Sequence, residues 1–222
     1  MHFFFIGRIL GLKISRIIFS NLFYMIGPIF KSKKIIENNL KIFSNKNPAL
    51  SHKKITKRMW MNYGMTFIEY IFLNYFRKSS SHVSIKGTDY ISNIIDKKKA
   101  AIFISGHLAN FELMSMEITK KNIPLATIYR PLNNFFLNPL MEYLRKKYVC
   151  KNQIKNGVRE AIEFIKKNHS VALMVDQRVS EGEKIDFFKK PALTTTLPAQ
   201  LSIKFDLKII PVYIERVKNN NF

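Results

Sequence analysis

The run Ala100–Ser105, AAIFIS, constrains this chain more than any other stretch. Its apolar side chains fall at consecutive positions, with no charge among them. A strand with one wet face alternates apolar and polar residues, whereas a strand buried on both faces does not. Strands of the second kind lie side by side in parallel, and parallel neighbours need a long crossover, usually a helix. The surrounding sequence has that form. Ser170–Val175 (SVALMV) is a second continuous apolar run and Leu207–Ile214 a third. Helical patterns at Asn110–Lys121, Asn134–Lys147 and Asn156–Asn168 separate them, with a further short strand at Leu125–Tyr129. A short strand at Val83–Ile85 and a short helix at Tyr90–Lys99 come first. The alternation predicts an α/β domain over 82–222, a mixed, mostly parallel sheet flanked by helices.

The residues before it differ. Residues 1–30 are apolar but broken by Arg8, Lys13 and Arg16, and their longest uncharged run is Ile17–Phe30. That is shorter than the ~20 apolar residues of a spanning helix, and no small-residue cleavage site follows. The pattern predicts a helix on the membrane surface or a shallow anchor, its Arg and Lys reaching back to phosphates. Residues 31–81 read as a basic helical region. Between Lys31 and Arg58 there are nine basic residues and one acid, Glu37, a pattern suited to an anionic leaflet. Ser51–Phe76 reads as one helix, capped by Ser51 and carrying Ile55, Met59, Tyr63, Phe67 and Ile71 at i+4 spacing.

Composition narrows the function. Lys and Arg number 37 against 15 Asp and Glu, a net charge of +22. Such a charge predicts an anionic partner: nucleic acid, an anionic membrane or an acidic carrier protein. Apolar residues at 47% exclude disorder, and a single cysteine, Cys150, excludes a disulfide scaffold. No nucleic-acid motif occurs, and the aromatics sit in apolar runs, so no nucleic-acid partner is expected. No His/Cys/Asp grouping has metal-ligand spacing, and there is neither a phosphate-binding Gly-rich loop nor a Gly-x-Ser-x-Gly elbow.

The chemistry concentrates in Ile102–Met114, IFISGHLANFELM. Sites in α/β sheets lie just beyond the carboxyl ends of strands, where His107 stands after Gly106, a residue suited to a sharp turn. Glu112 is five residues on, ~140° away on a continuous helix. With His107 in the turn before the helix, Glu112 reaches back to it. A carboxylate on one ring nitrogen fixes the tautomer and leaves the other free to take a proton, which is the arrangement of a general base. By itself such a histidine is more often a structural hydrogen-bonder. Asn110 is either a helix cap or a substrate contact, and Asp176, after the second buried run, either forms a turn or supports the site.

These residues resemble the lipid A late acyltransferases, the lauroyl/myristoyl transferase family of Gram-negative bacteria. The mark of that superfamily, His, four residues, then Asp or Glu, is His107-Leu-Ala-Asn-Phe-Glu112 here. Tyr129-Arg130-Pro131-Leu132-Asn133-Asn134 is similar to the family's Tyr-Arg-Pro segment. Asp176-Gln177, followed by Asp186-Phe187-Phe188-Lys189-Lys190-Pro191-Ala192-Leu193-Thr194, is similar to its Asp-Gln and Phe-Phe-Gly-x-Pro-Ala-x-Thr blocks, with Lys189 where glycine is usual. Ile36–Leu40 and Tyr63–Tyr70 resemble its N-terminal helices.

The resemblance implies a glycerolipid-acyltransferase-like fold and transfer of a fatty acyl group from acyl carrier protein to a hydroxyl of a phosphorylated glucosamine disaccharide. This would take place at the cytoplasmic face of the inner membrane, with no cofactor beyond the carrier thioester and no metal. His107 would be the base, Glu112 its orienting acid, and Arg130 the stabiliser of an oxyanion or phosphate. Asn110 and Asp176 would support the site, and Phe187, Phe188, Pro191 and Ala192 would line an acyl groove. The ending Lys218–Phe222 reads as early for this family. That keeps open a catalytically impaired remnant, or an enzyme for another glycolipid or glycerolipid.

Overall fold

The computed structural model describes residues 2–30, 32–44, 51–97, 99–129, 131, 134, 136–155, 157–177 and 179–222. They divide into two compact units, 1–72 with 186–190, and 73–185 with 191–222.

The first unit is helical: α1 (His2–Phe30), α2 (Lys33–Ser44), α3 (His52–Glu69) and a 3₁₀ turn at Tyr70–Phe72. Gly11 interrupts α1 with φ 73°, a conformation glycine takes without penalty. Below the break α1 lies against α3 at a separation that glycine sets. A Cβ on Gly64 would come within 2.1 Å of the Phe19 carbonyl oxygen, and one on Gly27 within 2.2 Å of the Trp60 ring. Phe19 and Phe23 both meet Phe67 across this contact.

Arg16 corrects the expectation of a side chain reaching out to phosphates. It is buried, and its Nε donates to the buried Glu69 carboxylate at 2.6 Å. By length and composition Phe5–Ile29 is long and apolar enough to cross a membrane, although the uncharged run is short. Phe5, Ile9, Met25 and Ile29 face outward from this helix. Ser51 caps α3 as expected, accepting the Lys54 N–H. The expected single helix to Phe76 is instead two helices joined by the 3₁₀ turn.

The second unit begins with α4 (Leu73–Lys78). Arg77 donates to Thr119 Oγ1 at 2.6 Å, and Lys120 Nζ to the Phe76 carbonyl at 2.7 Å. These bonds tie α4 to the α/β part, so the division falls at 72/73, earlier than the change of sequence pattern at 81/82. A five-stranded sheet follows, in the order β3 (Asn152–Ile154), β2 (Leu125–Ile128), β4 (Ser170–Met174), β1 (Ile102–Ser105), β7 (Ile209–Pro211), with every pairing parallel. Ile102 stands opposite Val171 on one side and Ile209 on the other. The helices are α5 (Thr88–Lys97), α6 (Phe111–Lys120), α7 (Leu137–Leu144), α8 (Val158–Lys166) and α9 (Leu197–Phe205). Ile102, Ala126, Ile154 and Val171 are fully buried, as strands covered on both faces require, and Ala161, Ile165 and Leu201 close over them. A separate hairpin, β5 (Glu183–Phe187) and β6 (Lys190–Thr194), lies outside the sheet.

Three elements differ from the sequence reading. Val83–Ile85 is no strand: Val83 N–H turns back to Ser80 O at 3.3 Å, and Ser84 N–H meets Phe222 O, with Phe222 N–H to the neighbouring His82 O, both at 2.8 Å. β3 is three residues of mostly polar sequence, too short to show a period. The third apolar run contributes only Ile209–Pro211 to the sheet.

Candidate active site

Two strand exits build the site. β1 and β4 are neighbours, and Val175 N–H continues their ladder to Ser105 O at 2.8 Å. The residues that leave both strands are therefore held side by side. His107 follows β1 and Asp176 follows β4. Asp176 Oδ2 accepts the His107 backbone N–H at 2.8 Å, and Oδ1 lies 2.8 Å from His107 Nδ1. Gly106 permits this approach, because a Cβ there would stand 3.3 Å from the Asp176 carboxyl carbon. Its role is clearance; the strained residue of the turn is Ala109, at φ 42°. Phe111, the first residue of α6, sets its ring edge-on to the imidazole with centroids 4.8 Å apart. The Gln177 amide nitrogen lies 3.4 Å from Nε2. A donor facing Nε2 and a carboxylate on Nδ1 favour the tautomer with Nδ1–H and an unprotonated Nε2.

Glu112 takes a different partner from the one the sequence suggested. It is buried, and its Oε1 accepts Arg145 Nε at 2.6 Å and also contacts Nη2. The hydrogen bonds of His107 go to Asp176 and Gln177 instead. The physical reason is the fold: parallel pairing of β1 with β4 brings a carboxylate from 69 residues away nearer than one on the following helix. Arg145 opens a π-helical turn, Arg145–Val149, closed by Cys150 N–H to Arg145 O. Its guanidinium lies 4.7 Å from the centroid of the Tyr129 ring, and Tyr129 Oη donates to Asn138. His107 and the Glu112–Arg145 pair open on one cavity of about 460 Å³ at the carboxyl ends of the strands, lined also by Phe111, Tyr129 and Gln177 among others.

The remaining expected residues divide. Asn110 is fully buried at the N-cap position of α6, but its side chain makes no cap bond to the helix. Arg130 lies outside the described residues; Tyr129 and Pro131 on either side of it line the cavity. Pro191 and Ala192 lie on β6, exposed and half-buried respectively, and are not among the cavity's lining residues. Phe187 and Phe188 group with the first unit, where the Phe188 ring meets Phe43 at 5.6 Å. Sequence reasoning missed Arg145, which looks like one more lysine or arginine in Arg145-Lys146-Lys147. Gln177 carries no sequence signal beyond its place after Asp176. Cys150 also lines the cavity, and burial pushes its thiol up to about 11. It is no nucleophile at neutral pH.

A histidine with a carboxylate on one nitrogen and a cavity at the other is equipped to remove a proton from a hydroxyl. The model of one family, bacterial lipid A biosynthesis acyltransferase, matches residues 1–222. The chain belongs to that family. No curated protein matches it. Membership makes acyl transfer in lipid A biosynthesis the reaction class. A cavity at the sheet's carboxyl edge is where an α/β fold holds its substrate.

Proposed function

We propose that this chain moves a fatty acyl group from the thioester of acyl carrier protein to a hydroxyl of a phosphorylated glucosamine lipid A precursor, on the cytoplasmic face of the inner membrane. His107 Nε2 takes the hydroxyl proton as the oxygen attacks the thioester carbonyl. The tetrahedral oxyanion collapses, the C–S bond breaks, and the imidazolium returns the proton to the leaving thiolate. Asp176 holds Nδ1–H and balances the imidazolium charge. The role given to Glu112 in the sequence reading passes to Asp176, and Glu112 instead fixes Arg145. The guanidinium so held stands in the cavity as a donor for the oxyanion or for an acceptor phosphate; a fixed donor of that kind is worth a few kcal/mol. Arg130 and Asn110 keep supporting roles in the proposal, and Phe187, Phe188, Pro191 and Ala192 offer apolar surface for the acyl chain. Basic residues in excess suit the donor and the acceptor alike, since acyl carrier proteins are acidic and the precursor carries phosphates. The apolar α1 and the lysines after it suit an anionic membrane.

The observation that carries the reading is His107 itself, with Nδ1 2.8 Å from Asp176 and its ring on the wall of a cavity of about 460 Å³. The test is transfer of a labelled acyl group from acyl carrier protein to a phosphorylated glucosamine disaccharide lipid in membranes that contain the full chain. His107→Ala abolishes transfer and leaves membrane association intact. Turnover retained in that variant overturns the assignment.

A further inference from the structure

The first unit holds a second cavity, of about 610 Å³, formed by α1, α2 and α3. Its walls are apolar: Tyr24 from α1, Ile36 from α2 and Trp60 from α3. Its rim is polar and mostly basic: Lys33, His52, Lys53 and Lys57, with one carboxylate, Glu37. Lys33 lies 3.8 Å from Glu37, and Lys57 Nζ stands 5.2 Å from the Tyr24 ring centroid. Among the described residues no carboxylate pairs with Lys53 or Lys57. The Trp60 ring is seated by the missing side chain of Gly27, and its indole N–H is buried with no acceptor among the described residues. On the same turns of α1 as Tyr24 and the cavity-lining Pro28, Met25 and Ile29 are 75% and 80% exposed.

We infer that this cavity binds one anionic glycerophospholipid. Two ammonium groups at the mouth that no described carboxylate neutralises match a phosphodiester, the apolar walls match the glycerol ester region, and the bare flank of α1 matches acyl chains. A chain recruited by diffuse charge alone would need neither the enclosed walls nor the flank. The site is separate from the His107 cavity and takes no part in the acyl transfer proposed above.

Trp60 is the single tryptophan of the chain, so its fluorescence reports on this cavity alone. The probe is phosphatidylglycerol with dibrominated acyl chains, titrated as a minor component into phosphatidylcholine nanodiscs that hold the full chain. Bromine quenches indole on contact. Saturable quenching is expected at a mole fraction at least 5-fold below that required by dibrominated phosphatidylcholine. Lys53→Gln with Lys57→Gln weakens it by about 5-fold per lysine. Lys34→Gln with Lys41→Gln removes the same charge from α2 outside the cavity lining and leaves the quenching as it was.

Equal quenching by both lipids, or equal loss in both double variants, overturns the inference. Displacement by a phosphorylated glucosamine disaccharide lipid at lower concentration overturns it too, by reassigning the cavity to the acceptor. The measurement uses no acyl donor and is repeated in His107→Ala, so failure of the transfer reading and failure of this one are told apart.

Discussion

Replacing Asp176 with asparagine removes one charge and one acceptor while keeping the shape. The carboxylate accepts two N–H groups, the His107 backbone amide and Nδ1–H, each at 2.8 Å. Asparagine has one oxygen, so one of the two faces an amide NH₂ instead. Losing an acceptor for one donor costs ~1–3 kcal/mol. The charge adds a second contribution. Two unit charges ~4 Å apart interact by ~1 kcal/mol in water and ~4 kcal/mol at an effective dielectric constant of 20. The side chains of His107 and Asp176 are 32% and 43% exposed, so solvent screening holds the contribution to ~1–2 kcal/mol. Together these give ~2–5 kcal/mol, a fall of ~30-fold to ~5 × 10³-fold in kcat. KM for the acyl donor is expected to stay within a few-fold, because Asp176 acts through the imidazole. The assay is initial-rate transfer in membranes, normalised to folded protein. An Asp176→Asn enzyme within 3-fold of the parent, alongside a dead Glu112→Gln enzyme, would return the orienting role to Glu112 and refute the argument.

Three further outcomes are expected. Glu112→Gln takes from Arg145, whose side chain is 13% exposed, the carboxylate it is paired with; breaking a buried pair costs ~3–5 kcal/mol. The melting temperature should fall by ~10 °C, with Glu112→Gln/Arg145→Met recovering most of it, and a fall under 2 °C would count against a buried pair. Lys189→Gly should stabilise the β5–β6 hairpin by ~0.5–1 kcal/mol, since Phe188 and Lys189 hold φ of 51° and 60° where glycine pays no steric penalty. Slower amide exchange across β5 is the readout, and faster exchange would contradict it. Cys150, raised by burial from an ordinary 9.0 to about 11, should react with iodoacetamide ~100-fold more slowly in the folded chain than in urea at neutral pH. A folded pKa above the unfolded one means that its contribution to stability, ~3 kcal/mol, is complete below pH 9 and lost as pH rises through 11.

The local part of this protein is written in its residue order. Continuous apolar runs set β1 and β4 because a strand buried on both faces has no wet side to mark with polar residues. The block from His107 to Glu112 was legible because its members lie within one turn and the first turn of a helix, where spacing alone limits what can meet. The usual glycine at 189 was legible as a departure, and the positive φ there explains why glycine suits that position. Sheet pairing is a different matter. Which carboxylate reaches His107 depends on β4 lying beside β1, a contact between residues 69 apart that no local period encodes. The sequence pointed to Glu112 as the nearest acid along the chain, while the nearest acid in space is Asp176. Arg145 was invisible for the same reason: a guanidinium among lysines becomes a site residue only when a π-helical turn aims it at a buried carboxylate. Arg16 likewise reads as a charge seeking phosphate until Glu69, on a helix two elements later, neutralises it. Spacing along the chain decides what can fold locally, and only packing decides which charges meet, because electrostatic partners are chosen by distance in space.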